Sequence, residues 1–287
     1  MAKETEVRIK TYEELGYSDD FMFGKTMEDP ELCREVIERL LQRPVGELKS
    51  SQGQKEFKFT VDGKPIKLDI FSQDEDGVVY DAEMQNLNHK SLDSLHLAKR
   101  TRFYQSSIDI DYLNRNDAFW KLPESHILFI CTFDPFGKGL GQYTFREKCD
   151  EDPTVLLKDG TEKHFYNCTY EGSDLPEEIR VFYEYVRTGK TGDALTGKLA
   201  SAVDKAKRNN EWRSAYMKER ALIMELKEEG RAEGHVEGKA EGLAEGEDRL
   251  ASLINSLMSS GRSQEIEKAV NDKEYRDQLY DEFEINL

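Results

Sequence analysis

Between residues 56 and 85 the chain carries three strand-like runs, separated by gaps that only tight turns can fill. The runs EFKFTVD (56–62), PIKLDIFSQ (65–73) and VVYDAEMQ (78–85) favour β-branched and aromatic residues, which fit a pleated, half-buried surface. Asp62-Gly63 separates the first two and Asp74-Glu75-Asp76-Gly77 the second two; both are hairpin signals. The runs are therefore predicted to form an antiparallel meander. Ahead of it, residues 29–42 (DPELCREVIERLLQ) have Asp29 as N-cap and Pro30 at the first helical position. Leu32, Val36, Ile37, Leu40 and Leu41 then make one apolar stripe at helical spacing. A polar helix over about 91–107 and the apolar strand HILFICTF (126–133) follow the meander. This order predicts an α/β core, a mixed central sheet flanked by helices.

Three regions are expected: a core over 1–150, a mainly helical subdomain over 151–228 that completes it, and a repeat with a helical tail over 229–287. Residues 176–187 and 198–228 read as helices. In the third region Gly230, Gly234, Gly238, Gly242 and Gly246 recur every four residues, each preceded by glutamate. Glycine costs about 1 kcal/mol per helical position relative to alanine, so a flexible acidic linker is the plain alternative. A strict period favours a helix, because at about 40° of drift per repeat the glycines stay on one stripe. Such a stripe lets two helix backbones approach closely. Residues 215–258 are thus expected to be helical and to self-associate, giving a homodimer or higher oligomer.

A formal net charge of −17 argues against general affinity for nucleic acid or anionic lipid. Residues 1–146 hold 20 Lys and Arg against 26 Asp and Glu, a net of −6, so a local basic face remains open to the first half. Cys33, Cys131, Cys149 and Cys168 are widely spaced and read as free thiols of a reducing compartment. The segment MAKETEVRIK lacks the apolar core of a signal peptide. With no apolar run of membrane-spanning length, the expectation is a cytoplasmic protein without a membrane partner.

Asp69 falls in the middle of the second strand and Glu83 near the end of the third. Counted back from the turn they lie about level, and Glu83 and Gln85, two apart, share a face. Two carboxylates with a backbone carbonyl, that of Met84, make a hard-oxygen site for Mg2+ or Mn2+. Such an ion suits phosphodiester hydrolysis. On spacing alone, the rival reading is a charged, exposed hairpin.

The segments DDFMFGKTM (19–27), KLDIFSQDEDGVVYDAEMQN (67–86), LAKRTRFYQSSID (97–109) and HILFICTFDPF (126–136), with the glycine repeat, resemble the PD-(D/E)XK nuclease superfamily. Within it, the chain is most similar to the recombination-promoting nuclease and transposase family, over roughly residues 11–250. The resemblance implies a restriction-endonuclease-like core with a helical C-terminal extension. It also implies Asp69, Glu83 and Gln85 as the catalytic set, with glutamine where the superfamily pattern has lysine. Glutamine orients and hydrogen-bonds but carries no charge, so a slow enzyme is expected. The superfamily often adds a carboxylate from the first helix; Glu31, Glu35 and Glu38 are the candidates. Lys99, Arg100, Arg102 and Tyr104, on the helix after the motif, are candidates for DNA backbone contacts, and Gln105 a weaker one. His89 and His96 lack a third ligand at suitable spacing, and His126, His164 and His235 read as structural or exposed.

The expectation is therefore a Mg2+-dependent DNA endonuclease, with recombination or mobile-element transfer as the setting implied by the family. The alternative is a catalytically weak nuclease-fold protein that binds DNA or regulates, oligomerising through its C-terminal repeat.

Overall fold

The side chain of Asp29 accepts hydrogen bonds from the backbone N–H groups of Glu31 (3.1 Å) and Leu32 (3.2 Å) and so starts helix α2 (Pro30–Leu41). The computed structural model describes residues 10–57, 66–86 and 94–285. The Asp62-Gly63 turn and His89 lie outside them. Helix α1 (Asp20–Met27) precedes α2, and strands β1 (Leu48–Phe57), β2 (Ile66–Asp74) and β3 (Val79–Gln85) follow. Helix α3 (Ser94–Tyr112) then leads to β4 (Ser125–Cys131), β5 (Gln142–Phe145) and β6 (Thr161–Asn167). Helices α4 (Glu177–Thr188), α5 (Ala194–Lys207) and α6 (Asn210–Ser259) come next, with α7 (Ile266–Asn271) and α8 (Lys273–Glu282) at the end.

The β2–β3 turn forms as its residues dictate. Gly77 takes a left-handed φ of 88°, which costs glycine little. Asp74 accepts from the Val78 N–H at 2.8 Å and from the Tyr80 hydroxyl at 2.9 Å. Register then pairs Ile70 with Ala82 and Gln73 with Val79. The sheet order is β1-β2-β3-β4-β6-β5. Strands β1, β2 and β3 are antiparallel to their neighbours in the meander, β4 runs parallel to both β3 and β6, and β5 is antiparallel to β6. The fold is α/β with a mixed open sheet flanked by helices.

Two apolar layers cover the sheet. On one face Tyr80, Ala82, Met84, Leu128 and Ile130 pack with α1, α2, α4 and α5. On the other, Val79, Ile127, Phe129 and Cys131 pack with Leu97, Tyr104 and Ile108 of α3. Alternation along β3 and β4 assigns successive residues to opposite layers.

Several expectations need correction. The first strand begins at Leu48, not at 56; its LKSSQGQK segment lacks apolar alternation because β1 is a sheet edge with a single neighbour. Strands β5 and β6 lie outside the predicted strand set. β6 comes from the stretch read as mainly helical, yet it sits inside the sheet between β4 and β5. The chain divides into two compact units, Met1–Met217 and Lys218–Leu287.

In the second unit, Leu253 and Leu257 of α6 pack with Ala269, Leu279 and Tyr280. The residues predicted helical over 215–258 all lie within α6. Its five repeat glycines are exposed, with nothing within 4 Å of where a Cβ would stand. Cys33, Cys131, Cys149 and Cys168 are free thiols. Among the described residues no helix is long and apolar enough to cross a membrane.

Leu128, wholly buried in the middle of β4, tests the packing. Leu128→Ala is expected to lower the stability of the sheet unit by about 2–5 kcal/mol. Leu140→Ala, half exposed, should stay within about 0.5 kcal/mol of the parent. Both tryptophans, Trp120 and Trp212, belong to the first unit, so fluorescence-detected urea unfolding reads that unit alone.

Candidate functional site

Where the β2–β3 ladder ends, carboxylates take over its hydrogen bonds. The Asp69 N–H donates to Glu83 Oε1 at 2.8 Å, and the Met84 N–H donates to Asp69 Oδ2 at 3.1 Å. Asp69 and Glu83 thus clasp each other's strand one rung beyond the Ile70–Ala82 pair. Asp81, Glu83 and Gln85 follow at two-residue intervals on the α3 side of the sheet, where neighbouring β4 presents Ile127, Phe129 and Cys131. All three are buried.

Helix α3 supplies the counter-charge. The Arg100 guanidinium donates to Gln85 Oε1 at 2.7 Å through Nη1, and through Nη2 to Glu83 Oε2 at 3.2 Å and the Tyr104 hydroxyl at 2.7 Å. It also lies 5.3 Å from the Tyr104 ring centre and 5.5 Å from that of Phe129. Residues 100 and 104 are one helical turn apart and face the sheet together.

The electrostatics follow from this burial. Desolvation first, and the Asp69 carboxylate second, push the Asp81 carboxyl well above the usual range. Glu83 is raised likewise, by burial and then by Asp69 and Asp81, against the pull of the Asp69 N–H and of Arg100. A bond between Asp81 and Glu83 needs a proton on one of them and offsets part of the cost. With both ionised, neither Asp81 oxygen has a partner. Burial works against the charge of Arg100, but Tyr104, Glu83 and Asp69 raise its pKa.

The sequence-derived candidates separate into two groups. Asp69, Glu83, Gln85, Arg100 and Tyr104 come together. The Met84 carbonyl accepts the Gln85 side-chain amide at 3.1 Å. Lys99 and Arg102 are exposed, turned away from Arg100 by helical geometry. Arg102 instead lines a cleft of about 360 Å³ with Phe136 and Phe145. Gln105 is occupied by Ser125 (2.8 Å) and Asp109 (2.9 Å). His96 is exposed.

The α2 carboxylates do not join the cluster, because α2 packs on the opposite face of the sheet. There Glu35 pairs with Lys198 at 2.5 Å and Glu38 with Arg34 at 2.7 Å, while Glu31 is exposed. Asp81 is the member that sequence reasoning missed. The two-residue period linking Glu83 to Gln85 extends equally to Asp81.

Carboxylates buried together in excess of the positive charge beside them are the donor set of a hard divalent cation. Asp69, Asp81 and Glu83 fit Mg2+ or Mn2+ in charge and donor type. Compared with family models, curated proteins and solved structures, the chain matches none.

Raised carboxyl pKa values mean that the folded chain binds protons more tightly than the unfolded one. The stability from Asp81 and Glu83 is then fully present below the ordinary carboxylate pKa of about 4 and lost as pH rises through the raised folded values. Asp81→Asn is expected to raise the melting temperature of the metal-free protein at pH 8, by about 2–4 °C for each kcal/mol recovered. The gain should vanish as pH falls to about 4. Thermal unfolding across that range would refute this reading if the variant proved less stable at pH 8.

Proposed function

We propose that this chain is a divalent-cation-dependent phosphodiesterase acting on DNA, with a restriction-endonuclease-like core of the PD-(D/E)XK kind. The observation that carries the reading is the Asp69–Asp81–Glu83 cluster, with Asp81 and Glu83 buried, Asp69 half-buried and Arg100 paired to Glu83. Asp69 and Glu83 would hold the ion, with Asp81 beside them as a third carboxylate. Bound there, Mg2+ supplies Lewis acidity toward a phosphate oxygen and lowers the pKa of water.

The protein's own groups do the rest. Gln85 orients rather than ionises, so the charge that a lysine would contribute falls to Arg100. The Arg100 guanidinium neutralises Glu83 in the ion-free state; with a cation holding the carboxylates, its fork can turn to a phosphate oxygen. Tyr104 Oη and the Phe129 ring keep it on the sheet side of α3. Lys99 and Arg102, on the exposed side of the helix, are suited to positioning the backbone of a duplex. Recombination or mobile-element transfer, and a cytoplasmic setting, belong to this proposal through the family resemblance alone.

A second reading, a nuclease-fold protein retained for DNA binding or regulation with weak hydrolysis, draws on one specific observation. Arg100 already saturates Glu83 and Gln85, and an ion must displace it.

Incubation of the purified protein with supercoiled plasmid and Mg2+ separates the two. Cleavage is expected, with Asp69→Ala and Glu83→Ala reduced to background while far-UV circular dichroism is unchanged. Equal cutting by either variant ends the site assignment, whereas DNA binding without cutting by the parent favours the second reading. Replacing Lys99 and Arg102 by alanine should weaken DNA binding and flatten its salt dependence, by about one in log–log slope for each phosphate that is no longer neutralised.

The reading includes self-association through the glycine stripe of α6, which would supply two active sites for two strands. Light scattering is expected to find a dimer or larger species that falls to a monomer when the chain ends at Glu219. A monomeric full-length protein excludes it.

A further inference from the structure

On the opposite face of the sheet from Asp81 and Glu83, and at the other end of the parallel strands, His126, Glu162 and His164 converge. Parallel pairing sets His126 of β4 level with Glu162 of β6, and the two-residue period brings His164 to the same face. Both histidines are buried, between the rings of Tyr80 and Tyr166. His126 Nδ1 is 3.3 Å from His164 Nε2 and 3.7 Å from Glu162 Oε2, and His164 Nε2 is 3.2 Å from Glu162 Oε2. A tetrahedral ion with bonds of about 2.0–2.1 Å holds its donors about 3.3–3.4 Å apart. The three atoms already stand at nearly that spacing.

We propose that His126 Nδ1, Glu162 Oε2 and His164 Nε2 form a three-ligand site for Zn2+, with the fourth position open to water. Two imidazoles and one carboxylate suit zinc better than the harder Mg2+. The outer nitrogens have oxygen partners of the kind that fix a ligating histidine. His126 Nε2 lies 3.0 Å from Glu124 Oε1, and His164 Nδ1 lies 3.3 Å from Thr144 Oγ1. Burial keeps both rings neutral: it lowers His126, helped by Arg43, and holds His164 at about 3, with His126 adding to the effect. Glu162 is partly exposed and gives the ion its way in.

The groups facing the cluster from other elements are Arg43, Arg146 and Glu124. Arg146 holds Glu162 Oε1 at 2.5 Å and Oε2 at 3.0 Å. Arg43 contacts His126 Nε2 and lies 3.3 Å from Glu124. A guanidinium donating to Nε2 forces the proton onto Nδ1, the atom that must bind zinc. Arg43 is therefore a competitor of the ion, and zinc binding moves its hydrogen bond wholly onto Glu124.

This competition gives variants of opposite sign, which a purely structural role for the cluster does not. Zn2+ is titrated against a chromophoric chelator into metal-free full-length protein, in the parent and in Asp69→Ala so that the carboxylate cluster is not counted. One Zn2+ per chain is expected in Asp69→Ala, and at least one in the parent. Affinity should fall at least about tenfold in His164→Ala and in Glu162→Gln, and rise in Arg43→Met. Co2+ added to the parent should give the intense visible bands of a four-coordinate ion, a readout that needs no variant to fold. Zinc affinity unchanged by both His164→Ala and Glu162→Gln, weaker binding in Arg43→Met, or only the faint spectrum of hydrated Co2+ would each overturn the site.

Discussion

Strand β4 has a parallel neighbour on each side and helices over both faces, and its seven residues are all buried. A strand in that position has no freedom of register, because a slip of one residue exchanges its two faces. Phe129 is therefore level with Glu83, and His126 with Glu162. These two rungs decide where the polar groups of β3 and β6 fall. One cluster lies under α3 at the C-terminal end of the parallel strands; the other lies on the α2 side near their N-terminal end. In parallel α/β sheets the crevice beyond the carboxyl ends of the strands is the usual place for a ligand, and the Asp69–Asp81–Glu83 group lies toward that end of β3.

The two clusters solve different electrostatic problems. At the histidine cluster burial is tolerated by neutral rings, and the remaining charges pair as Arg146 with Glu162 and Arg43 with Glu124. At the carboxylate cluster Arg100 is shared between Glu83 and Gln85, and neither oxygen of ionised Asp81 finds a donor. Buried polar groups left unsatisfied are rare in folded proteins, and strongly perturbed titratable groups concentrate at functional sites. Asp81 costs the ion-free fold stability, and a divalent cation would recover it.

Part of this was legible in the sequence. The apolar stripe of α2, its Asp29 cap and the DEDG turn are local signals, and they point to the meander in which Asp69 meets Glu83. β6 was not legible: TEKHFYN is polar over its first half because Glu162 and His164 meet polar partners from β4 and β5 rather than apolar core. His126 and His164, 38 residues apart, become neighbours only through a parallel pairing that no short-range pattern encodes. Arg100 and Arg102 look alike in sequence; their angular separation around the helix puts one guanidinium under the sheet and the other in solvent. Whether an α2 glutamate reaches the site was left open by the sequence, since composition does not reveal which face of a sheet a helix covers.

The central claim is that the buried carboxylates are a cation site, and anomalous diffraction from crystals soaked in Mn2+ tests it most directly. The account predicts an anomalous peak bound by Asp69 and Glu83, beside Asp81, with the Arg100 guanidinium moved off Glu83. No peak at that position, with Arg100 still paired to Glu83 at saturating Mn2+, would contradict it.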